Sequence, residues 1–187
     1  MEKIKNHKIL FLDHDGVIAL SNNWGGRYKK KEFSNPETPM DIRMDDFDTK
    51  AVKVLNEIIE LTGCEIVVSS DWKNYGNLQQ MKEMYITRGI KTPIDLTPSI
   101  NDCENFINDH EWMAMWELEH TRAVEIMNWL HDHPEVTHWV AVDDLNMGKD
   151  GTSWKEWGLD NFVHCARPHT EGIKQSGVKE KILKFLE

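Results

Sequence analysis

No apolar run in this 187-residue sequence approaches the ~18 residues that a membrane-spanning helix needs. The charged start Met1-Glu2-Lys3-Ile4-Lys5 is followed by an apolar stretch that soon ends in aspartates, so it is expected to be a core strand and not a signal peptide. Cysteine is scarce: Cys64, Cys103 and Cys165 are odd in number, widely spaced and without a Cys-x-x-Cys pair. That excludes a disulfide framework and a structural zinc site, and with the acidic charge it points to reduced thiols in the cytoplasm. Positive charge is also short, 22 Lys and Arg against 32 Asp and Glu, a net charge of −10. A broad basic surface able to wrap nucleic acid is thereby excluded. One basic run remains, Arg27-Tyr28-Lys29-Lys30-Lys31. It reads either as a solvated loop or as a flap that draws a phosphorylated substrate by electrostatic focusing.

Repeats, linkers and low-complexity tracts are missing too, and a chain 40% hydrophobic at this length fits a single domain over residues 1–187. What is present is an alternation of strand and helix patterns. Ile9 to Leu12 is an apolar run that stops on Asp13-His14-Asp15-Gly16. Residues 21–47, rich in Asn, Gly, Pro and charge, read as a flap or small cap insertion. Asp48 or Thr49 then caps a helix that Gly63 ends. A second strand, Glu65 to Val68, runs into Ser69-Ser70, and a helix over 75–88 follows. Residues 90–100 have room for a short strand, and the segment 109–120 for a helix. A further helix runs from Thr121 to about Leu130. His138 to Val142 is a strand ending on Asp143-Asp144, Asn161 to Cys165 another, and a helix capped by Ser176 or Gly177 closes the chain. This pattern predicts one α/β domain with a central parallel sheet.

Three core strands therefore end in chemistry-bearing residues, and in a parallel sheet those ends share one edge. Asp13 and Asp15, two apart on a strand, converge on one small volume, and two anions so close call for a cation or a shared proton. His14 alternates to the opposite face and reads as structural. Arg122, at the start of the helix leading to the third strand end, offers a fixed cation.

These residues resemble haloacid dehalogenase-like phosphohydrolases. Asp13-His14-Asp15-Gly16-Val17 is similar to that family's first motif, Val67-Val68-Ser69-Ser70 to its second, Arg122 to the basic residue of its third, and Val142-Asp143-Asp144 to its acidic fourth. The strings Ile66 to Lys73, Arg122 to Leu130 and Glu171-Gly172-Ile173 further resemble the branch found in RNA-repair and many phage proteins. The resemblance implies a three-layer α/β/α Rossmann-like domain with a small flap or minimal cap. It also implies a Mg2+-dependent phosphomonoesterase acting on nucleotides or nucleic-acid phosphate ends. In that reading Asp13 is the nucleophile that becomes an aspartyl-phosphate, and Asp15 the general acid and base. Ser69, which directly follows the apolar run, contacts the phosphoryl oxygens, with Ser70 as the alternative, and Arg122 offsets their charge. Asp13, the backbone carbonyl of Asp15, and Asp143 hold the metal, while Asp144 orients a metal-bound water. Arginine where the family usually has lysine favours bidentate contacts over a point charge.

Gly16, Trp24, Arg27, Lys29, Lys30, Trp72 and Lys73 are further candidates for substrate contact, Trp24 and Trp72 as stacking platforms for a base. Asp71-Trp72-Lys73 equally suits a helix start with no substrate role. The 21–47 flap is too short for a lid domain, which leaves an open cleft for a polynucleotide end. Other readings stay open: a sugar-phosphate or metabolite phosphatase on the same fold, a receiver-like signalling domain, or a non-catalytic phospho-ligand binder.

Overall fold

The computed structural model describes residues 6–21, 37–103, 118–149, 158–166 and 170–187. The short apolar runs pair as five parallel strands: β1 (Lys8–Leu12), β2 (Glu65–Val68), β3 (Asp95–Leu96), β4 (His138–Asp143) and β5 (Phe162–His164). Their order is β3-β2-β1-β4-β5. The chain thus builds outward from β1 in one direction and then restarts on its other side at β4. That reversal opens a crevice at the carboxyl ends of β1 and β4, the place where ligands bind in sheets of this kind. Register fixes which residues meet there. Leu12 lies opposite both Val68 and Val142. One step further, the Asp13 N–H donates to Val142 O at 3.1 Å and the Ser69 N–H to Leu12 O at 3.1 Å.

Strand alternation divides the core in two. Leu10, Leu12, Ile66, Val68, Val140 and Val142 face α2 (Thr49–Thr62), α3 (Leu78–Thr87) and α5 (Val178–Leu186). Ile9, Phe11, Val67 and Ala141 face the other way, onto Ala123, Ile126 and Trp129 of α4 (Leu118–Asp132). Helices on both faces of a parallel sheet give the three-layer α/β/α arrangement expected from the sequence. The helix boundaries have local causes. Asp48 caps α2 by accepting from the N–H groups of Lys50 and Ala51, and Gly63, in the left-handed region at φ 69°, closes it. Asn77 and Gln80 form a capping box at the start of α3, so the helix expected over 75–88 begins at Leu78. Tyr75 instead ends a separate 3-10 turn, Asp71–Tyr75. Gly177 precedes α5.

The expected flap needs a correction at its C-terminal end. Residues 37–47 are packed into the domain: Met40, Met44 and Phe47 join the core, and Met40–Arg43 forms a single helical turn, α1. Arg43, 1% exposed, donates to Thr38 O at 2.6 Å and Tyr75 O at 2.9 Å, which ties this stretch to the 3-10 turn. Trp24, Arg27, Lys29 and Lys30 lie outside the described residues, as does most of the segment 109–120. Among the described residues, no helix is long and apolar enough to cross a membrane.

Candidate active site at the carboxyl end of the sheet

Beyond Leu12 the chain wraps into a tight turn around one carbonyl. His14 O accepts from the N–H groups of Val17 (3.2 Å), Ile18 (3.0 Å) and Ala19 (2.7 Å), and Gly16 N–H donates to Ala19 O at 3.0 Å. The turn holds Asp13 and Asp15 at the sheet edge and sends His14 to the opposite side. There His14 is fully buried, its Nε2 2.7 Å from Tyr85 Oη, among the rings of Phe47 and Trp72. Gly16 sits at φ 76°, and a Cβ on it would stand 2.4 Å from Asp144 Oδ2. Glycine is needed there both for the backbone and for the approach of β4's acidic end.

Four residues from four parts of the chain then meet. Arg122 Nη1 lies 2.8 Å from Asp143 Oδ2 and 3.2 Å from Asp13 Oδ1, and its Nη2 lies 2.9 Å from Asp71 Oδ1. Asp13, Asp143 and Arg122 are 2%, 0% and 4% exposed. One guanidinium does not balance this much buried negative charge. Burial, then the charge of Asp143, pushes Asp13 well above the usual carboxylate range despite Arg122 and a hydrogen bond from Ser70. Burial likewise raises Asp143, to about 6, against the pull of Arg122 and the Leu145 N–H. The same acids hold Arg122 firmly charged even though burial alone would lower it. A cavity of about 130 Å3 opens onto this cluster, lined by Asp13, Asp15, Ser70, Asp71, Arg122, Asp144 and Leu145. Two larger cavities, about 440 Å3 around His7 and Glu65 at the opposite end of the sheet and about 500 Å3 beside β5, hold no comparable convergence of buried charge.

The structure thus brings Asp13, Asp15, Arg122 and Asp144 to one cavity, with Asp143 against Asp13 and Arg122 behind it. Other expectations are corrected. Ser70 lines the cavity and bonds to Asp13, whereas Ser69 Oγ is buried with no hydrogen-bond partner among the described residues. Strand β2 stops at Val68, so alternation no longer decides the orientation, and the turn into Asp71–Tyr75 swings Ser70 inward. Trp72 is not a platform for a base: it is 1% exposed, packed on His14 and Phe47, and its Nε1–H donates to Asp15 Oδ2 at 2.9 Å. Lys73 points away from the cavity. Its Nζ donates to Thr97 Oγ1 (2.9 Å), Pro98 O (2.8 Å) and Glu125 Oε2 (2.5 Å), in a pair whose side chains are 7% and 9% exposed. Gly16 serves by making room for Asp144 and does not line the cavity itself.

Sequence reasoning missed two contributors. Asp71 read only as a helix start, yet it directly follows a polar strand end. Glu125 lies three residues after Arg122, hence on the same side of α4, and that spacing of charges in a helix leading to a core strand is the signal that could have found it.

The acidic cluster also bears on a metal. Asp13, Asp143 and Asp144 bring one carboxylate oxygen each within 4.8 Å of one another. Ligand atoms on a magnesium ion with bonds of ~2.1 Å are roughly 3 to 4 Å apart, so little adjustment is needed. An all-oxygen donor set whose buried carboxylates crowd more negative charge than Arg122 offsets suits a hard divalent cation, and the residues fit Mg2+. No curated protein and no solved structure matches the chain. Residues 9–177 match the family described as the HAD domain in Swiss Army Knife RNA repair proteins, and with that span covering nearly the whole sequence, the chain belongs to this family of haloacid dehalogenase-like hydrolases.

Proposed function

We propose that the protein is a Mg2+-dependent phosphomonoesterase that works through an aspartyl-phosphate and acts on phosphorylated ends of nucleic acids or on nucleotides. The observation that carries this reading is the meeting of Asp13, Asp143 and Arg122 beneath a cavity rimmed by Asp15 and Ser70. The family description, naming RNA repair proteins, supports the substrate class.

Asp13 attacks phosphorus as its carboxylate, which Arg122 keeps accessible by facing Oδ1. Asp15, on the same cavity, protonates the leaving oxygen and then takes a proton from the water that releases phosphate. Ser70 donates to a phosphoryl oxygen, and Arg122 turns part of its fork from the carboxylates to the incoming negative charge. Asp13, Asp143 and Asp144 would hold Mg2+, with the backbone carbonyl of Asp15 as a further ligand. When bound, the ion neutralises carboxylate and phosphate charge that Arg122 alone leaves unbalanced. The basic run at Arg27 to Lys31 lies outside the described residues and is proposed to steer polyanionic substrates.

The test is phosphate release from p-nitrophenyl phosphate, nucleoside monophosphates and 3′- or 5′-phosphorylated oligonucleotides, with Mg2+ and with EDTA. Release should require the metal and vanish in Asp13→Asn. Full activity in Asp13→Asn would overturn the aspartyl-phosphate route. Replacing Lys29, Lys30 and Lys31 by Ala should raise KM for oligonucleotides at low salt and leave KM for p-nitrophenyl phosphate unchanged.

A further inference from the structure

A buried tryptophan needs an acceptor for its indole N–H, and which acceptor it finds is informative. Trp72 finds the carboxylate of Asp15, at 2.9 Å from Oδ2. The indole cannot drift. Its ring lies 4.6 Å from that of His14 and stacks on Phe47 at 5.7 Å between centroids. Its backbone N–H reaches Ser70 Oγ at 3.4 Å. The next residue, Lys73, anchors the same 3-10 turn to α4 through Glu125.

We propose that Trp72 is a positioning residue that fixes which oxygen of Asp15 delivers the proton to the leaving group. Indole Nε1 is a donor only, so the oxygen facing it must present a lone pair whether Asp15 is charged or neutral. A protonated Asp15 held in this way carries its hydrogen on Oδ1. An Asp13 oxygen bonds to phosphorus, the bond from phosphorus to the leaving oxygen breaks with its electron pair on that oxygen, and the Asp15 Oδ1 proton joins it. Asp15 is left as a carboxylate still bonded to Trp72. With phenylalanine at position 72 Oδ2 would lose the donor that marks it as the acceptor, so part of the population would carry the proton on the wrong oxygen. The proposal deepens the reading of Asp15 as the acid and rests on it.

The experiment compares kcat/KM for two leaving groups, because kcat/KM covers the steps up to departure of the leaving group. A nucleoside 3′-phosphate leaves as a poor alkoxide and needs a proton, whereas p-nitrophenolate leaves without one. Asp15→Asn is measured first and should lower kcat/KM on the nucleotide by about 100-fold or more, with a far smaller loss on p-nitrophenyl phosphate. Equal losses on both would remove the reading of Asp15 itself. With that pattern established, Trp72→Phe should show the same bias, about 10-fold on the nucleotide and under about 3-fold on p-nitrophenyl phosphate. Equal losses in Trp72→Phe would overturn the role of Trp72 alone and leave Asp15 intact. Should Trp72→Phe not fold, replacing the tryptophans with benzothienylalanine keeps the bicyclic shape and puts sulfur in place of N–H. A leaving-group bias unchanged from the native protein would then overturn the proposal.

Discussion

Arg122 Nη1 stands 2.8 Å from Asp143 Oδ2, joining the N-terminal part of α4 to the end of β4 across the candidate site. The same nitrogen faces Asp13, and the other arm of the fork reaches Asp71. A lysine's single nitrogen would have to gather all three carboxylates at one point, whereas the fork divides them between two nitrogens. This gives a physical sense to arginine at this position: it closes the crevice between β1 and β4 as well as supplying charge.

Removing that fork should therefore be costly. Arg122→Met leaves Asp13 and Asp143 buried without their counter-charge, and breaking one side of such a cluster costs about 3–5 kcal/mol. The sign with pH follows from the acids. Both already have folded pKa values above the unfolded ones, and losing Arg122 raises them further, so the variant loses stability as pH rises. In EDTA, the gap in Tm between native and Arg122→Met protein should be wider at pH 7.5 than at pH 5. A gap independent of pH would contradict this account.

The same charge imbalance predicts metal-linked stability. Ligand carboxylates must be deprotonated to bind, and Asp143 at about 6 makes that harder in acid. Mg2+ should raise Tm, and by more at pH 8 than at pH 5.5. At a concentration of ~100 times Kd the stabilisation would be about 2.7 kcal/mol. Asp143→Asn should abolish the Mg2+ response while lifting Tm in EDTA, since one buried charge is gone. Differential scanning fluorimetry across pH, with and without EDTA, checks both.

Lys73 and Glu125 make a second buried pair, and it ties the turn carrying Asp71 and Trp72 to the helix carrying Arg122. Lys73→Met or Glu125→Leu alone should cost about 3 kcal/mol or more, because each strands a buried charge. The double variant should regain more than half of the summed loss. Denaturant unfolding of the four proteins in a double-mutant cycle measures the coupling, and additive losses would show that the pair is energetically unimportant.

How much of this was legible in the sequence follows from where each signal is local. The sheet was legible because buried parallel strands read as continuous apolar runs, and the acids at Asp13, Asp15, Asp143 and Asp144 stood out by interrupting them. His14 could be assigned to the far face because strand alternation still held there. Ser69 and Ser70 could not be separated, since alternation lapses once β2 ends. Trp72 and Lys73 stayed open between substrate contact and a helix start for a different reason. Their partners, Asp15 and Glu125, are 57 and 52 residues away, and no local pattern announces such contacts. Met40, Met44 and Phe47, by contrast, recur at helical spacing, so the packing of residues 37–47 was available but masked by the surrounding polar composition.

Asp48 offers a test of local structure. Burial raises its pKa, but hydrogen bonds from Ala51 N–H and Lys174 outweigh that and bring it below the usual value. A lowered folded pKa contributes stability above the unfolded value of about 3.9, and the contribution disappears as pH falls through the folded value. Asp48→Ala should lower stability by about 1 kcal/mol at pH 7 through loss of the cap, roughly 2–4 °C in Tm. As pH falls through that folded value the native and variant proteins should converge, as read by circular dichroism melts. A difference that persists unchanged in acid would mean the cap acts through something other than its charge.

Gly16 links backbone geometry to the acidic cluster proposed to hold Mg2+. An alanine there meets two penalties: the left-handed backbone at φ 76°, about 1–2 kcal/mol for a residue with a Cβ, and a clash with Asp144. The added carbon would stand 2.4 Å from Oδ2, 2.6 Å from Cγ and 2.8 Å from Cβ of that residue, too close for rotation of the carboxylate alone to relieve. Asp144 must then move as a whole, although its carbonyl is held by His164 Nε2 at 3.0 Å. Gly16→Ala should therefore weaken Mg2+ binding about 10-fold or more, alongside a fall in Tm of several degrees. Adding Asp144→Gly removes all three contacts, so the double variant should regain the part of the stability due to contact but not the metal affinity. Mg2+ midpoints from calorimetry or fluorimetry separate the two effects. An unaltered midpoint in Gly16→Ala would mean that Asp144 takes no part in holding the ion, leaving Asp13 and Asp143 to do so.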